Sequence, residues 1–171
     1  ASAAFSSLML LEEMRLDNDM DGELTEAEEG HLAGFDAEWV EGYNGDLVMR
    51  LDGRQLTLSG PLEPTATTEK GRIVSTHLRE VAGTPRLDGQ VLSVMPFDEM
   101  YYTAYEVTRP VTVNGRTGCT IDRIVPDIDG QLAQMRAMLL TIDADADLEE
   151  NDIPLVGEEF ATEVRLTCPV S

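Results

Sequence analysis

The spacing of hydrophobic positions changes along the chain. From about Ala3 to Leu16 the spacing is helical: Phe5, Leu8, Met9 and Leu16 share one side, while Leu10, Leu11 and Met14 cover the other. A helix apolar nearly all round is expected to be buried on several sides. A second helix is predicted from about Thr25 to Tyr43, where Leu32, Phe35, Trp39 and Tyr43 fall in one narrow stripe that reads as core. From Asp46 the period drops to two. Leu47, Met49 and Leu51 recur at every second position with Val48 and Arg50 between them, Asp52-Gly53 supplies a turn, and Leu56 and Leu58 follow. Pro61 and Pro64 then interrupt.

Further strands are predicted at Arg72–Glu80, Gln90–Pro96, Met100–Val107 and Val111–Val113. Asn114-Gly115 predicts a hairpin whose return strand is Arg116–Val125. A helix is predicted from about Gly130 to Ile142, capped by Asp127 or Asp129, with Ile128, Leu132, Met135, Leu139 and Ile142 as its stripe. Met135 and Met138 read as packing residues. Pro154 opens a short helix to about Thr162, and Val164–Cys168 closes the chain as a strand. The expected class is α+β: an antiparallel sheet or sandwich core, an N-terminal helix-loop-helix and C-terminal helices. One domain is expected over residues 1–171, with the helical pair of 1–45 packed on a β-rich body of 46–171.

Between the first two helices lies the stretch richest in chemistry, Asp17-Asn18-Asp19-Met20-Asp21-Gly22-Glu23-Leu24-Thr25-Glu26-Ala27-Glu28. It fits the EF-hand calcium loop. Asp17, Asp19 and Asp21 stand at loop positions 1, 3 and 5, where alternate side chains converge on one point. Gly22 holds position 6, the sharp turn. Glu23 would offer its carbonyl, Thr25 would reach the ion directly or through water, and Glu28 would close the sphere with both carboxylate oxygens. Thr25-x-x-Glu28 is also a capping box, a compatible reading because the leaving helix starts there. From Asp17 to Glu29 the chain carries seven carboxylates and no Lys or Arg. Two such charges about 5 Å apart repel by ~3 kcal/mol at an effective dielectric of about 20, which a hard divalent cation relieves. Asp143, Asp145 and Asp147 begin like a second loop, but Leu148 replaces the glycine and Pro154 the closing Glu, so this reads as a solvated acidic loop.

The net charge of −21 argues against nucleic acid and anionic membranes as partners, and favours a soluble, cation-rich, extracytoplasmic setting. No apolar run approaches the roughly 20 residues of a membrane span. The chain starts at Ala1 with no visible signal peptide, so it reads as a mature product or a fragment. The two cysteines, Cys119 and Cys168, suggest one disulfide in an exported chain. Catalytic motifs are missing: there is no nucleophile elbow, phosphate loop or His-Glu-x-x-His. Glu28-x-x-His31 is a single Glu-x-x-His pair where di-iron bundles use two. The expectation is a protein that is not an enzyme.

Four further stretches carry a family resemblance. They are Phe5-Ser6-Ser7-Leu8-Met9-Leu10-Leu11-Glu12, Phe97-Asp98-Glu99-Met100-Tyr101-Tyr102-Thr103-Ala104-Tyr105, the Cys119 segment with Pro126-Asp127-Ile128-Asp129, and Val164-Arg165-Leu166-Thr167-Cys168. In this order they resemble the bacterial periplasmic family known as domain of unknown function 1007. That family is described as a periplasmic component of an ABC-type transport system and tends to be encoded near nickel/cobalt-type permeases. The resemblance implies a periplasmic (or secreted) protein that serves a membrane metal permease or ABC-type transporter. Family members open on a strand region with a His-Pro-His motif, which this chain lacks. The expected consequence is an unpaired sheet edge, a template for a homo-oligomer. Two functions are therefore expected: a non-enzymatic, calcium-binding accessory protein of metal transport, or a calcium-stabilised extracytoplasmic structural or adhesion module. A metal-assisted hydrolase is the third and least supported.

Overall fold

The computed structural model describes residues 25–33, 47–69, 72–99, 104–141 and 155–170. The chain divides into two compact units, residues 1–43 with 58–81, and residues 44–57 with 82–171. Described secondary structure is mixed, with antiparallel pairing throughout and few helices.

In the first unit, helix α1 spans Glu26–Leu32. Thr25 is its N-cap. The Thr25 hydroxyl accepts the Glu28 backbone N–H, and the Glu28 carboxylate accepts the Thr25 backbone N–H at 2.9 Å. This reciprocal arrangement satisfies two donors that helix geometry leaves orphaned. The helix ends at Ala33, far short of Tyr43; residues 34–46 lie outside the described residues. The predicted helix of 3–16 lies outside them too. Two strands of the first unit pair as a hairpin, β1 at Leu62–Glu69 and β2 at Arg72–Leu78 in order along this segment. The α1 helix packs against β1, where Ala66 is buried.

The Leu62–Glu69 strand corrects the reading of Pro64 as an interruption, while Pro61 stands just before it. Leu62 faces Leu78 and Thr65 faces Thr76, so Glu63 and Pro64 together oppose His77. That is a β-bulge. It places the residue without an N–H where the ladder needs no donor, and Glu63 takes a φ of +51° to make the extra residue fit. Beyond the bulge, the Thr65 and Thr76 hydroxyls hydrogen-bond across the strands.

The second unit is organised by a five-stranded antiparallel sheet. Its strands are β3 (Leu47–Leu51), β4 (Arg54–Gln55), β5 (Val91–Pro96), β6 (Thr120–Ile124) and β7 (Glu163–Thr167), in spatial order β4-β3-β5-β7-β6. Asp52 (φ 46°) and Gly53 (φ 81°) form the two-residue turn between β3 and β4, the left-handed pair that matches strand twist. The Asp52 carboxylate also accepts the Val91 N–H at 3.0 Å, which fastens the turn to β5. Val48, Met95, Phe97 and Ala161 form one buried cluster. Leu51, Leu92 and Val164 are buried on the opposite side of the sheet, since directly paired residues share a face and neighbours alternate.

The Asn114-Gly115 hairpin does not form. Gly115 has φ +81°, but Asn114 is not among the positive-φ residues a primed turn requires, and 111–113 is not a strand. The return strand survives as β6, which pairs with β7 instead. Residues 104–107 are irregular as well. Helix α2 spans Ile128–Leu139, with Asp127 accepting the Gly130 N–H at 3.2 Å as N-cap. As far as Leu139 its predicted stripe is only half covered: no residue of the helix is buried, Leu139 is 47% exposed, and Ile142 lies outside the described residues. The C-terminal helix predicted from Pro154 to Thr162 is reduced to a 3₁₀ turn at Gly157–Phe160. Of the C-terminal helices, α2 alone is a full helix among the described residues.

Cys119 and Cys168 form a disulfide. The register explains it. Thr120 faces Thr167, so the next pair outward along the β6–β7 ladder is Cys119 and Cys168, with Cα atoms 4.1 Å apart. The bridge is seated on a knot of backbone contacts. The Gly89 N–H donates to the Cys168 carbonyl at 2.9 Å, and Arg116 donates to the carbonyls of Leu87 (3.0 Å) and Pro169 (2.9 Å).

Candidate functional site

The calcium-loop residues divide between described and undescribed segments. Asp17, Asp19, Asp21 and Glu23 lie outside the described residues. Thr25 and Glu28 lie within them, at the N-cap and third position of α1. Both give hard oxygen donors on one turn of chain. The Thr25 hydroxyl donates to Glu28 Oε2 at 2.7 Å, and the Glu28 residue is 7% exposed. A buried carboxylate is costly unless it is hydrogen-bonded or paired with a cation, and the capping box supplies hydrogen bonds. The donor set fits a hard cation such as Ca²⁺ in kind, though the described residues supply only part of a shell. Among the described residues, no group of three or more His, Cys, Asp or Glu is arranged to hold a metal.

A second constellation was not singled out in the sequence. Across the five-stranded sheet, Arg50 on β3 faces Ser93 on β5, Ser93 faces Arg165 on β7, and Arg165 faces Asp122 on β6. These residues share one face. Glu163, two residues before Arg165, joins them, and Glu158 reaches in from the 3₁₀ turn. Arg50, Ser93, Glu158, Glu163 and Arg165 line a groove of about 540 Å³ whose other walls are Asp52, Gly53, Val91 and Met95. Arg50 is forked onto Glu158: its Nη1 bonds Oε1, and its Nη2 bonds Oε2 at 2.8 Å. Arg165 pairs with Glu163 at 2.8 Å. Ser93 is 9% exposed, and its buried hydroxyl makes no hydrogen bond of ordinary geometry, though it stands near enough to Glu163 to favour the ionised carboxylate.

The charges interact as one set. The hydrogen bond from Arg50 is the largest influence holding the Glu158 carboxyl below its ordinary value, and Arg50 itself is held more firmly protonated. The Arg165 guanidinium does the same for Glu163, against the opposing effect of burial, with help from Ser93 and Arg50. The faint signal for this face lies in the alternation itself: Arg50 in Leu47–Leu51, and Glu163 and Arg165 in Glu163–Thr167, sit at period-two polar positions of otherwise apolar strands. Pairing across strands is not legible from alternation within each.

A pH dependence follows. A carboxyl whose folded pKa is depressed binds fewer protons folded than unfolded, so its contribution is present above the unfolded value, 4.5, and is lost as pH falls through the lower folded value. Urea midpoints measured from pH 6 downwards are expected to fall below about pH 4.5. In Glu158→Gln that acid limb should be shallower, by up to about 1 kcal/mol because the pair is partly solvated. Identical acid limbs in both proteins would remove the pair from the stability of the fold.

The fold thus defines a mixed, mainly antiparallel α/β protein stapled by one disulfide between adjacent strands. Residues 3–168 match the family described as "Protein of unknown function (DUF1007)", and the chain belongs to that family. No curated protein and no solved structure matches it.

Proposed function

We propose that the chain is a non-enzymatic, calcium-binding protein of the periplasm that serves as an accessory binding component of a metal transport system. The observation that carries the calcium part is the Thr25–Glu28 turn. The EF-hand pattern needs its ninth and twelfth residues at the mouth of the leaving helix, with a carboxylate drawn back over the loop. Thr25 and Glu28 stand at the N-cap and third position of that helix, and the buried Glu28 carboxylate accepts the Thr25 N–H and hydroxyl. The disulfide supports an oxidising compartment, where such bonds persist. No helix among the described residues is long and apolar enough to cross a membrane. The transport role, and a permease or ABC-type transporter as partner, follow from the family resemblance.

Calorimetric titration with Ca²⁺, Zn²⁺ and Ni²⁺ tests the metal preference. Saturable Ca²⁺ binding is expected. Calcium that binds the folded state raises the melting temperature, and a ligand at 100 times its Kd adds about 2.7 kcal/mol. Asp17→Ala and Glu28→Gln should each remove most of that gain. An undiminished Ca²⁺-dependent shift in both variants would overturn the assignment.

A second reading has its own observation. The α1 helix packs against the β1–β2 hairpin, and a two-stranded ribbon depends on such cover. In this reading calcium only locks that helix in place, within a structural or adhesive module. Deletion of the gene would then leave metal uptake unchanged, whereas the transport reading expects an uptake defect.

A further inference from the structure

The groove on the five-stranded sheet carries a reading of its own. Glu158, Arg50, Glu163 and Arg165 pair opposite charges along the groove, and Asp52 in its wall leaves the lining with one carboxylate more than its guanidiniums. A chain of net charge −21 has few cations to place, yet two of its arginines are set on one sheet face, one strand either side of Ser93. Strand spacing puts their backbones about 9.6 Å apart. The Ser93 hydroxyl between them is buried and makes no hydrogen bond of ordinary geometry, with the Glu163 carboxylate as the group it approaches. Val91 and Met95 give the groove an apolar floor beside the charges.

We propose that this groove binds a small dipolar ion, an amino acid or short peptide carrying one carboxylate and one ammonium. A lone anion would have to compete with Glu158 and Glu163 for the guanidiniums, and a lone cation would have to compete with the guanidiniums for the carboxylates. A dipolar ligand leaves the quartet's balance unchanged. Its carboxylate takes guanidinium N–H groups that the glutamates do not use, since Arg165 makes one ion pair and its side chain is half exposed. Its ammonium lies against Glu158, whose side chain is 47% exposed. A small side-chain rotation brings the Ser93 hydroxyl to the ligand carboxylate. The groove shares no residue with the calcium loop, and its test does not involve metal.

The experiment is titration of the whole chain with glycylglycine, followed by amide chemical shifts, with acetate and methylammonium as single-charge controls. Saturable shifts confined to the strands bearing Arg50, Ser93 and Arg165 are expected with glycylglycine and not with either control. Arg165→Met should weaken binding about tenfold or more, the size of a lost charge-assisted hydrogen bond. Ser93→Ala should weaken binding severalfold and lower the melting temperature little, since its hydroxyl makes no hydrogen bond of ordinary geometry in the empty groove. Absence of saturable shifts, shifts reproduced by acetate or methylammonium, or binding unchanged in both variants would overturn the proposal.

Discussion

Replacing Cys119 and Cys168 together by alanine is expected to cost the protein about 4 kcal/mol of stability. The bridge spans 49 positions in sequence, and on the chain-entropy model a loop of about that length stabilises by roughly 4 kcal/mol through the unfolded state. Cys168 is fully buried, so removal of its sulfur also leaves a small cavity. Reversible urea unfolding of the oxidised, reduced and double-alanine proteins checks this. The reduced and double-alanine forms should share a lowered midpoint, with β6 losing amide protection first because β7 is its one neighbour in the sheet. A midpoint that does not move would show that the Thr120–Ile124 pairing needs no staple.

The second large effect is expected at Gly157. Its N–H donates to the Glu99 carbonyl at 3.0 Å, and a Cβ placed there would overlap the Asp98 carbonyl oxygen and lie 2.7 Å from the Asp98 carbonyl carbon. The neighbour is backbone, so no side chain can swing aside. Gly157→Ala must therefore push the 3₁₀ turn away from residues 98 and 99, breaking that hydrogen bond and shifting Phe160, which is 5% exposed. Overpacking of this kind costs about 1–3 kcal/mol, and a lost buried hydrogen bond adds about 1 kcal/mol. The same shift moves Glu158 from Arg50, so the variant should also show the shallow acid limb expected of Glu158→Gln. A fully stable Gly157→Ala protein would mean that this turn does not approach the 98–99 backbone closely in solution.

Much of the sheet was legible because period-two alternation reports a half-buried strand directly. Leu47–Leu51, Val91–Pro96 and Glu163–Thr167 lie where alternation or short apolar runs place them. Asp52-Gly53 made its turn because the strands either side were ready to pair. Asn114-Gly115 did not, although the dipeptide is as favourable, because Thr120–Ile124 found its partner at the C-terminal end of the chain. Pro64 misled in the other direction: a residue that ends most strands sits in a bulge that asks for no N–H. The second C-terminal helix failed because its turn is clamped by a glycine against another segment's backbone, a constraint with no trace in hydrophobic spacing.

The candidate sites differ in the same way. Thr25 and Glu28 were legible as a pair three residues apart, because a capping box is a local device. The Arg50–Ser93–Arg165 row was not, because its members lie 43 and 72 positions apart and meet only through strand register.

Local causes therefore account for what the chain alone specified: the positions of the body's strands, the Asp-Gly turn, the helix caps and the candidate calcium loop. Each depends on residues within a few positions of one another, where sterics and hydrogen bonding act without reference to the rest of the fold. Tertiary structure decided the strand order, the seat of the disulfide, the bulge around Pro64 and the neutral charge quartet across the sheet. These depend on which distant segments pair, and a shift of one residue in any strand would turn Arg50, Ser93 or Arg165 to the opposite face.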